Sequence, residues 1–280
     1  MSHESDNISP TAHYTGYVWY RNQLGVDGLN TWEGSLFFHA LQPFDWIIQK
    51  SLGISLEKTL LQRHCLIDYL LQEFIKQHGE KNTIILEIAA GFSPRGYRFA
   101  HQYRELTYIE TDLTKMHHRK TKLLRNLNAP SNLQTAILDV LHTEGEYSLS
   151  SLLKKLDKKK SIAIVMEGLI GYFDTPTVEK VFKNIAQFVK PFADNTIIAD
   201  IYLDEVSARF GIVEFFRHAL SRFVGSPVVY TYKTEDEAIQ RLQKTGLKEV
   251  RLLDAENYVG KNNIPSINQS SLFRIIEAKG

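Results

Sequence analysis

The chain of 280 residues is close to the upper size of a single hydrophobic core, so we expect one α/β domain with appendages rather than two equal domains. Its 33 Lys and Arg residues balance 32 Asp and Glu residues, which gives no support to a nucleic-acid or membrane partner. The densest basic stretch, residues 154–160, is interpreted as a solvated helix end rather than a phosphate-binding patch.

The cysteine and histidine content argues against disulfides and metal sites. Cys65 is the only cysteine, which rules out an internal disulfide and a cysteine-only metal site. The ten histidines show no tight metal-ligand spacing, so no metal is expected. The first residues are polar and no run of 18 apolar residues occurs, so we expect a cytoplasmic protein without a signal peptide.

The first part of the chain is less regular than the rest. Residues 1–56 contain two helical pieces and are predicted to form an N-terminal helical cap. Residues 57–280 are predicted to form the main domain, which begins with a helix over residues 57–77.

From about residue 83, short β-rich apolar runs alternate with helical stretches. The predicted strands cover residues 83–91, 106–113, 133–141, 161–173 and 195–203. One of the intervening helices begins at Asp174 or Thr175 with Pro176 in its first turn and ends before Lys190. This alternation is typical of a doubly wound α/β fold, a mostly parallel sheet with helices on both faces.

The last third of the chain breaks this alternation. Residues 204–232 form a long aromatic-rich stretch, which is too long for an ordinary connection and is interpreted as an inserted helical lid. A helix over residues 234–246 and two strands over 247–256 and 270–279 then close the chain. Because no helix separates these two strands, they predict an antiparallel hairpin at the edge of the sheet.

A turn of small residues follows the first predicted strand. Glu87, Ala89, Gly91 and Ser93 have the spacing of an acid-x-G-x-G-x-G loop in which two glycines are replaced. Small residues let the backbone approach a nucleotide or an amino acid closely, with the next helix N-terminus facing it. A buried turn also needs small residues, so the loop alone leaves ligand binding and a purely structural role open.

Two acids end the second predicted strand, about twenty residues after this loop, where a carboxylate can bind the ribose hydroxyls of an adenosine-type ligand. We assign this role to Asp112, with solvated surface as the alternative. Glu110 lies on the same face of the strand because side chains alternate with a period of two. The loop lacks a P-loop lysine, and Glu87 and Glu110 would repel a pyrophosphate, which favours S-adenosylmethionine over NAD.

An acid also follows the third and fourth predicted strands, at Asp139 and Glu167. An acid that ends an apolar strand lowers stability unless it is hydrated or paired, so a binding role is expected for each. The alternative is a carboxylate bonded to neighbouring backbone amides. Ligands of doubly wound sheets lie over the carboxyl ends of the strands, which places these acids together.

Arg63 falls on the apolar face of the helix predicted over residues 57–77. At about 100° per residue it lies among Leu60, Ile67 and Leu71. A charged side chain on a buried face needs a partner. Two interpretations stay open, namely an ion pair with a core acid and an arginine that holds the carboxylate of a ligand.

These residues together resemble a known family. The motifs QRHCLID, LEIAAGFSPRG, YIETDL, LDV and MEGLIGYF resemble the leucine carboxyl methyltransferase and polyketide O-methyltransferase family, a branch of the class I S-adenosylmethionine-dependent methyltransferases. Residues 9–25 are similar to the opening of bacterial members with no assigned substrate. The resemblance implies a Rossmann-like, mostly parallel seven-stranded sheet with an antiparallel edge strand, and S-adenosylmethionine as the cofactor.

The resemblance also implies cofactor contacts along the whole ligand, although the glycine pattern departs from the family at Ala89 and Ser93. The implied contacts are Arg63 with the methionine carboxylate, Glu87, Ala89 and Gly91 with the methionine and ribose, Asp112 and Glu110 with the ribose, Asp139 and Val140 beside the adenine, and Glu167 facing the amino group.

The activity predicted from this set is O-methylation of a small molecule or of a carboxyl group. Methyl transfer requires mainly alignment and exclusion of water, so no catalytic base is assigned. Candidates for the acceptor pocket are the aromatic and basic residues of the cap and the insertion, His13, Tyr14, Tyr17, Trp19, Tyr202, Phe215, Phe216, Arg217 and His218. The alternatives are a non-catalytic nucleoside-binding protein of the same fold and a nicotinamide-dependent oxidoreductase, which the missing pyrophosphate glycines disfavour.

Overall fold

The computed structural model describes residues 10–53, 55–208 and 231–280, and these contain one sheet of seven strands. The strands are β1 (Thr83–Ile88), β2 (Thr107–Asp112), β3 (Leu133–Ile137), β4 (Ser161–Met166), β5 (Asn195–Ile201), β6 (Lys248–Leu253) and β7 (Arg274–Lys279). Their order across the sheet is β3-β2-β1-β4-β5-β7-β6. Strand β7 runs antiparallel to both neighbours, and the remaining pairs are parallel. The predicted mostly parallel sheet with an antiparallel hairpin at one edge is confirmed, and the antiparallel strand itself lies one place inside that edge.

Helices cover both faces of this sheet. In the described residues they are α1 (Pro10–Arg21), α2 (Trp32–Leu52), α3 (Leu56–His78), α4 (Arg95–Gln102), α5 (Thr114–Asn126), α6 (Leu149–Lys154), α7 (Thr175–Val189), α8 (Asp204–Ala208) and α9 (Glu235–Lys244). Helix α7 begins as predicted, since the Asp174 side chain accepts a hydrogen bond from Thr177 N and Pro176 lies in the first turn. Within the described ranges, no helix has the length and apolar character needed to cross a membrane.

The core has two layers, one on each side of the sheet. Side chains of α6, α7 and α9 pack on one face against residues such as Leu86 and Ile164. Helices α3 and α4 pack on the other face against residues such as Ile85, Tyr108 and Val165. Alternate residues of each strand therefore belong to opposite layers.

Strands β3 and β4 end earlier than the sequence predicts. Strand β3 stops at Ile137 and β4 stops at Met166. Gly168 has a φ of 68°, which turns the backbone away from the extended conformation, and a 3-10 turn follows over Ile170–Tyr172. The residues after each strand are thereby free to line the carboxyl edge of the sheet.

The cap is built from α1 and α2, which pack together and against the first turns of α3. Tyr14, Val18, Phe38 and Leu60 form a small apolar cluster that joins the three helices. The division of the chain at residues 56 and 57 stays a prediction.

The insertion predicted over residues 204–232 lies largely outside the described residues, because residues 209–230 are not described. Its two ends lie side by side. Leu203 and Tyr232 form a β-bridge, and Asp204 N donates a hydrogen bond to Tyr232 O at 3.1 Å. The chain therefore leaves the carboxyl end of β5 and returns to the same place.

Candidate functional site

Four acidic side chains share one face of the sheet near its carboxyl edge. Glu87 of β1 pairs in register with Glu110 of β2, while Glu167 follows β4 and Asp200 lies near the end of β5. In each strand the acid lies two residues after a side chain of the core layer formed with α3 and α4, so all four acids face that layer. Strand order reverses direction between β1 and β4, and doubly wound sheets bind ligands at such a point.

The turn after β1 is held against the end of β2. Its backbone has positive φ at Ala89 (55°) and Gly91 (50°), a conformation that residues other than glycine rarely adopt. Gly91 N donates to Oδ2 of Asp112 at 2.8 Å, and Ala90 N donates to Thr111 O at 3.0 Å. The backbone of the turn therefore favours glycine at positions 89 and 91, and contact of these residues with a ligand stays a prediction.

Asp112 lies at the carboxyl end of β2 and is partly exposed. Its two carboxylate oxygens accept hydrogen bonds from the N–H groups of Gly91 and Leu113, each at 2.8 Å. Burial raises the pKa of this carboxyl group, and the two amides partly offset the increase. Each carboxylate oxygen can accept a further hydrogen bond, so Asp112 keeps acceptor capacity for hydroxyl groups.

The turn after β3 adjoins Asp112, since Leu138 N donates to Asp112 O at 3.0 Å. The next residue, Asp139, accepts a hydrogen bond from Leu141 N at 2.9 Å, as the structural alternative for this acid proposed. Val140 is buried and supplies an apolar surface beside it. The structure thus brings Asp112, Asp139 and Val140 together at the ends of neighbouring strands.

Glu110 lies beneath α4 and is only 2% exposed. Lys120 Nζ of α5 lies 2.8 Å from its Oε2, and a Cβ added at Gly96 would clash with its Oε1. Burial raises the pKa of Glu110 to about 7, against the lowering effect of Lys120. The pair gives Glu110 a structural role. A ribose contact stays a prediction for which Asp112 is better placed.

Arg95, at the start of α4, joins three carboxylates from three different elements. Its side chain is fully buried. Nε donates to Asp68 at 2.5 Å, Nη1 to Glu87 at 2.7 Å and Nη2 to Glu167 at 2.6 Å. The hydroxyl of Tyr108 donates to the other oxygen of Glu87 at 2.6 Å. Both oxygens of Glu87 therefore have partners within the protein.

Arg63 lies between the acids of β4 and β5. Nε donates to Glu167 at 3.2 Å, and Nη1 donates to Asp200 at 3.1 Å and to the hydroxyl of Tyr202 at 3.3 Å. Within the described residues Nη2 has no hydrogen-bond partner, and it lies beside Gly168, where an added Cβ would be 3.2 Å away. The ion pair with core acids, one of the two interpretations left open by the sequence, is therefore present, and the Nη2 edge remains available for an anion.

The charge state of Glu167 follows from its partners. Burial alone would raise the pKa of this carboxyl group, but His64, Arg95 and Arg63 hold it well below its usual range. Both ring nitrogens of His64 lie close to arginine donors, Nε2 at 2.9 Å from Arg98 Nη2 and Nδ1 at 2.8 Å from Arg95 Nη2, which disfavours the protonated imidazolium. Burial, followed by Arg95, lowers the pKa of His64 in agreement with this assignment. Glu167 is therefore an anion at neutral pH.

Sequence reasoning missed Asp68, Arg95 and Asp200. Asp200 carries the signal that identified Glu167, an acid in an otherwise apolar strand, and could have been found by the same rule. Asp68 lies one helical turn after His64, an i, i+4 spacing that indicates a paired group. Arg95 has no comparable signal, because its partners are brought together only by the packing of α3 and α4 on the sheet.

Helix α1 of the cap lies over the turn after β1. A Cβ added at Gly91 would lie 3.6 Å from the Cβ of Ala12, and one added at Gly16 would lie 3.1 Å from the Cβ of Phe92. Thr11 Oγ1 lies 2.9 Å from the hydroxyl of Tyr172, which follows β4. The helix therefore bridges the segments after β1 and β4.

Solved structures of low sequence identity share this fold. A DUF574-family protein from Streptomyces avermitilis has a TM-score of 0.65 at 13% identity, with 96% of each chain covered. PigF, solved with S-adenosylhomocysteine, has a TM-score of 0.53 at 12% identity, covering 93% of this chain and 77% of its own. The magnesium protoporphyrin IX methyltransferase ChlM of Synechocystis PCC 6803, also with S-adenosylhomocysteine bound, has a TM-score of 0.50 at 11% identity, covering 87% and 96%. At such identities the likeness shows the fold alone, which is that of class I methyltransferases.

A match at the family level is more specific. No curated protein matches this sequence significantly. Residues 39–186, just over half of the 280-residue chain, match the leucine carboxyl methyltransferase family. This range contains Arg63, strands β1 to β4 and Glu167. The chain therefore belongs to the leucine carboxyl methyltransferase family, S-adenosylmethionine-dependent methyltransferases, as its motifs predicted.

Proposed function

We propose that the protein transfers a methyl group from S-adenosylmethionine to an oxygen of a small molecule or of an exposed carboxyl group. The observation that carries the proposal is the Nη2 edge of Arg63, which adjoins Gly168 at the carboxyl edge of the sheet. Arginine pairs well with carboxylates, and the methionine part of the cofactor has one. In this arrangement Arg63 binds the methionine carboxylate, and the anionic Glu167 attracts the neighbouring ammonium group.

The adenosine part of the cofactor fits the ends of β2 and β3. Asp112 accepts hydrogen bonds from the ribose hydroxyls, while Asp139 and the apolar Val140 flank the adenine. The support for these roles is the position of the three residues at the ends of neighbouring strands, where Leu138 N donates to Asp112 O, and the acceptor capacity that Asp112 retains.

The turn from Glu87 to Gly91 would approach the methionine and ribose through its backbone. The Ala89 and Gly91 positions keep this approach open because neither carries a side chain larger than a methyl group. Glu87 and Glu110 support the turn from below through their buried pairs with Arg95 and Lys120.

Bound S-adenosylmethionine supplies an electrophilic methyl group attached to a positively charged sulfur. The acceptor oxygen attacks the methyl carbon as its bond to sulfur breaks, so the protein has to align the two reactants and exclude water. Burial raises the pKa of Tyr202 to about 12, so its hydroxyl stays protonated and acts as a hydrogen-bond donor rather than a base. A carboxylate acceptor is already ionised at neutral pH and needs no base.

The cover of the acceptor is proposed to consist of α1 and the insertion over residues 204–232. Helix α1 bridges the crevice between the ends of β1 and β4, and both ends of the insertion meet at the end of β5. Of the candidate acceptor residues, Phe215, Phe216, Arg217 and His218 lie outside the described residues. A cytoplasmic location is also proposed, in line with a single, buried cysteine.

Titration calorimetry with S-adenosylmethionine, S-adenosylhomocysteine and NAD tests the cofactor assignment. Binding of the first two without NAD is expected, and binding of NAD alone would contradict the proposal. Release of S-adenosylhomocysteine in the presence of a panel of carboxylic acids and phenols then tests transfer. Tight binding without turnover on any member of a broad panel would indicate the non-catalytic alternative.

A further inference from the structure

Arg95 connects Glu87, which lies just before the turn after β1, with Glu167, which contacts Arg63. Its planar guanidinium contacts Asp68 of α3, Glu87 of β1 and Glu167 after β4, with all three distances between 2.5 and 2.7 Å. A rigid fork with donors on three nitrogens can bind three carboxylates at once, whereas a lysine ammonium is a single point charge. The residue is buried behind the site, and none of the proposed ligand contacts falls to it.

Glu167 is shared between two arginines, and each takes a different oxygen. Oε2 accepts from Arg95 at 2.6 Å and lies 3.0 Å from Nδ1 of His64, while Oε1 accepts from Nε of Arg63 at 3.2 Å. Arg63 is thus engaged by one oxygen of Glu167 only. A carboxylate and a guanidinium prefer to pair through two parallel hydrogen bonds. Without Arg95, Glu167 could rotate and occupy Arg63 with both oxygens.

We propose that Arg95 is a positioning residue for cofactor binding. By binding Oε2 of Glu167, it leaves only Oε1 in contact with Arg63 and so keeps the Nη2 edge of Arg63 open. This inference rests on the proposed function, in which Arg63 binds the methionine carboxylate. Arg95 acts through Glu167 and does not touch the ligand. Its loss therefore weakens S-adenosylmethionine binding even in a protein that remains folded.

The chain offers a matched control in Arg98, one turn later on α4. Arg98 contacts Asp68 at 2.5 Å and His64 at 2.9 Å, as Arg95 contacts the same two residues, but it has no contact with Glu87 or Glu167. Its side chain is 26% exposed. Arg98→Lys therefore makes the same replacement of a guanidinium by an ammonium group on the same helix, while the contacts of Glu167 with Arg95 and Arg63 remain.

The test measures the dissociation constant of S-adenosylmethionine for Arg95→Lys and Arg98→Lys, with thermal melting of each to show that it is folded. Arg95→Lys is expected to raise the dissociation constant about tenfold or more, which is the loss of one charge-assisted contact, and Arg98→Lys to leave it within about twofold. Arg95→Gln repeats the measurement without a buried ammonium group if the lysine variant does not fold. Equal affinities of the wild type and the Arg95 variant, or equal losses in the Arg95 and Arg98 variants, would overturn the proposal.

A double-mutant cycle with Glu167→Gln separates positioning from a general structural effect. Because the effect of Arg95 passes through the charge of Glu167, Arg95→Lys should cause no additional loss of affinity in the Glu167→Gln background. Additive losses would show that Arg95 acts by another route.

The Arg63→Met variant separates a failure of the proposed cofactor site from a failure of the positioning role of Arg95. If it binds the cofactor normally, the proposed site is wrong, and if only the Arg95 variant binds normally, the site stands and the positioning role fails.

Discussion

Replacing Arg63 by methionine measures how far this residue serves the fold and how far it serves the ligand. The substitution removes hydrogen bonds to Glu167, Asp200 and Tyr202. Glu167 keeps Arg95 and His64, so the unpaired charge falls on Asp200, whose remaining bond is from Gly168 N at 2.6 Å. Breaking a buried ion pair from one side lowers the free energy of unfolding by about 3 to 5 kcal/mol, which we expect near neutral pH.

The loss of unfolding free energy in Arg63→Met should be larger at high pH than at low pH. Burial already raises the pKa of Asp200, although Arg63 opposes the shift, so without Arg63 the pKa rises further. A carboxyl group whose pKa is higher in the folded than in the unfolded state adds stability at low pH, and this contribution disappears as pH rises through the folded pKa. Arg63→Met should therefore be less destabilising at about pH 5 than at about pH 8.

Urea unfolding of the wild type and the variant at both pH values tests this account, with Arg63→Met combined with Asp200→Asn as the control that removes the pH dependence. Calorimetry should show a loss of S-adenosylmethionine affinity of about tenfold or more, from the lost charge-assisted bond. A variant as stable as the wild type at both pH values, with an unchanged dissociation constant, would refute both the structural and the ligand role of Arg63.

Three further substitutions test other parts of the site. Asp112→Ala should raise the dissociation constant of S-adenosylmethionine about tenfold or more, because bonds to two hydroxyls at roughly 1.5 to 3 kcal/mol each are lost, and unchanged binding in calorimetry would remove Asp112 from the site. Ala89→Gly should raise the free energy of unfolding by about 1 kcal/mol, since it relieves a left-handed alanine, and lower stability in urea would show that the turn is not strained. Folding raises the pKa of Glu110 to about 7, so Glu110 contributes stability that is lost as pH rises towards 7. Glu110→Gln should remove this contribution, so the stability of the variant relative to the wild type should rise over the same pH range, and a relative stability that does not change with pH would show that Glu110 does not titrate there.

The sheet and the positions of its acids could be predicted because their signals are local. Apolar strands alternate with helical stretches, and acids such as Glu87 and Glu167 stand out at the ends of apolar runs. The strand period also correctly placed Glu110 on the face of Asp112. The burial of Glu110 could not be predicted in the same way, because it depends on the close approach of Gly96 from the next helix.

The partners of the charged groups could not be predicted because they are distant in sequence. Arg95 contacts Asp68 and Glu167, which lie 27 and 72 residues away. The same limit applies to Arg63, for which the sequence left a core ion pair and a ligand anion as alternatives. In the structure Nε and Nη1 pair with core acids, while Nη2 has no hydrogen-bond partner among the described residues, so the ion pair is present and the ligand anion stays a prediction.

The paired ends of the insertion have a consequence for how the length and composition of this segment can vary. Because Leu203 and Tyr232 form a β-bridge just after β5, the two ends of the inserted segment are held together next to the sheet. The entropy of closing a loop grows only slowly with its length, so segments of different length and composition can occupy this place at similar stability. Under the proposed function, the part of the chain that binds the methyl donor could therefore stay constant while the inserted segment is exchanged as a unit.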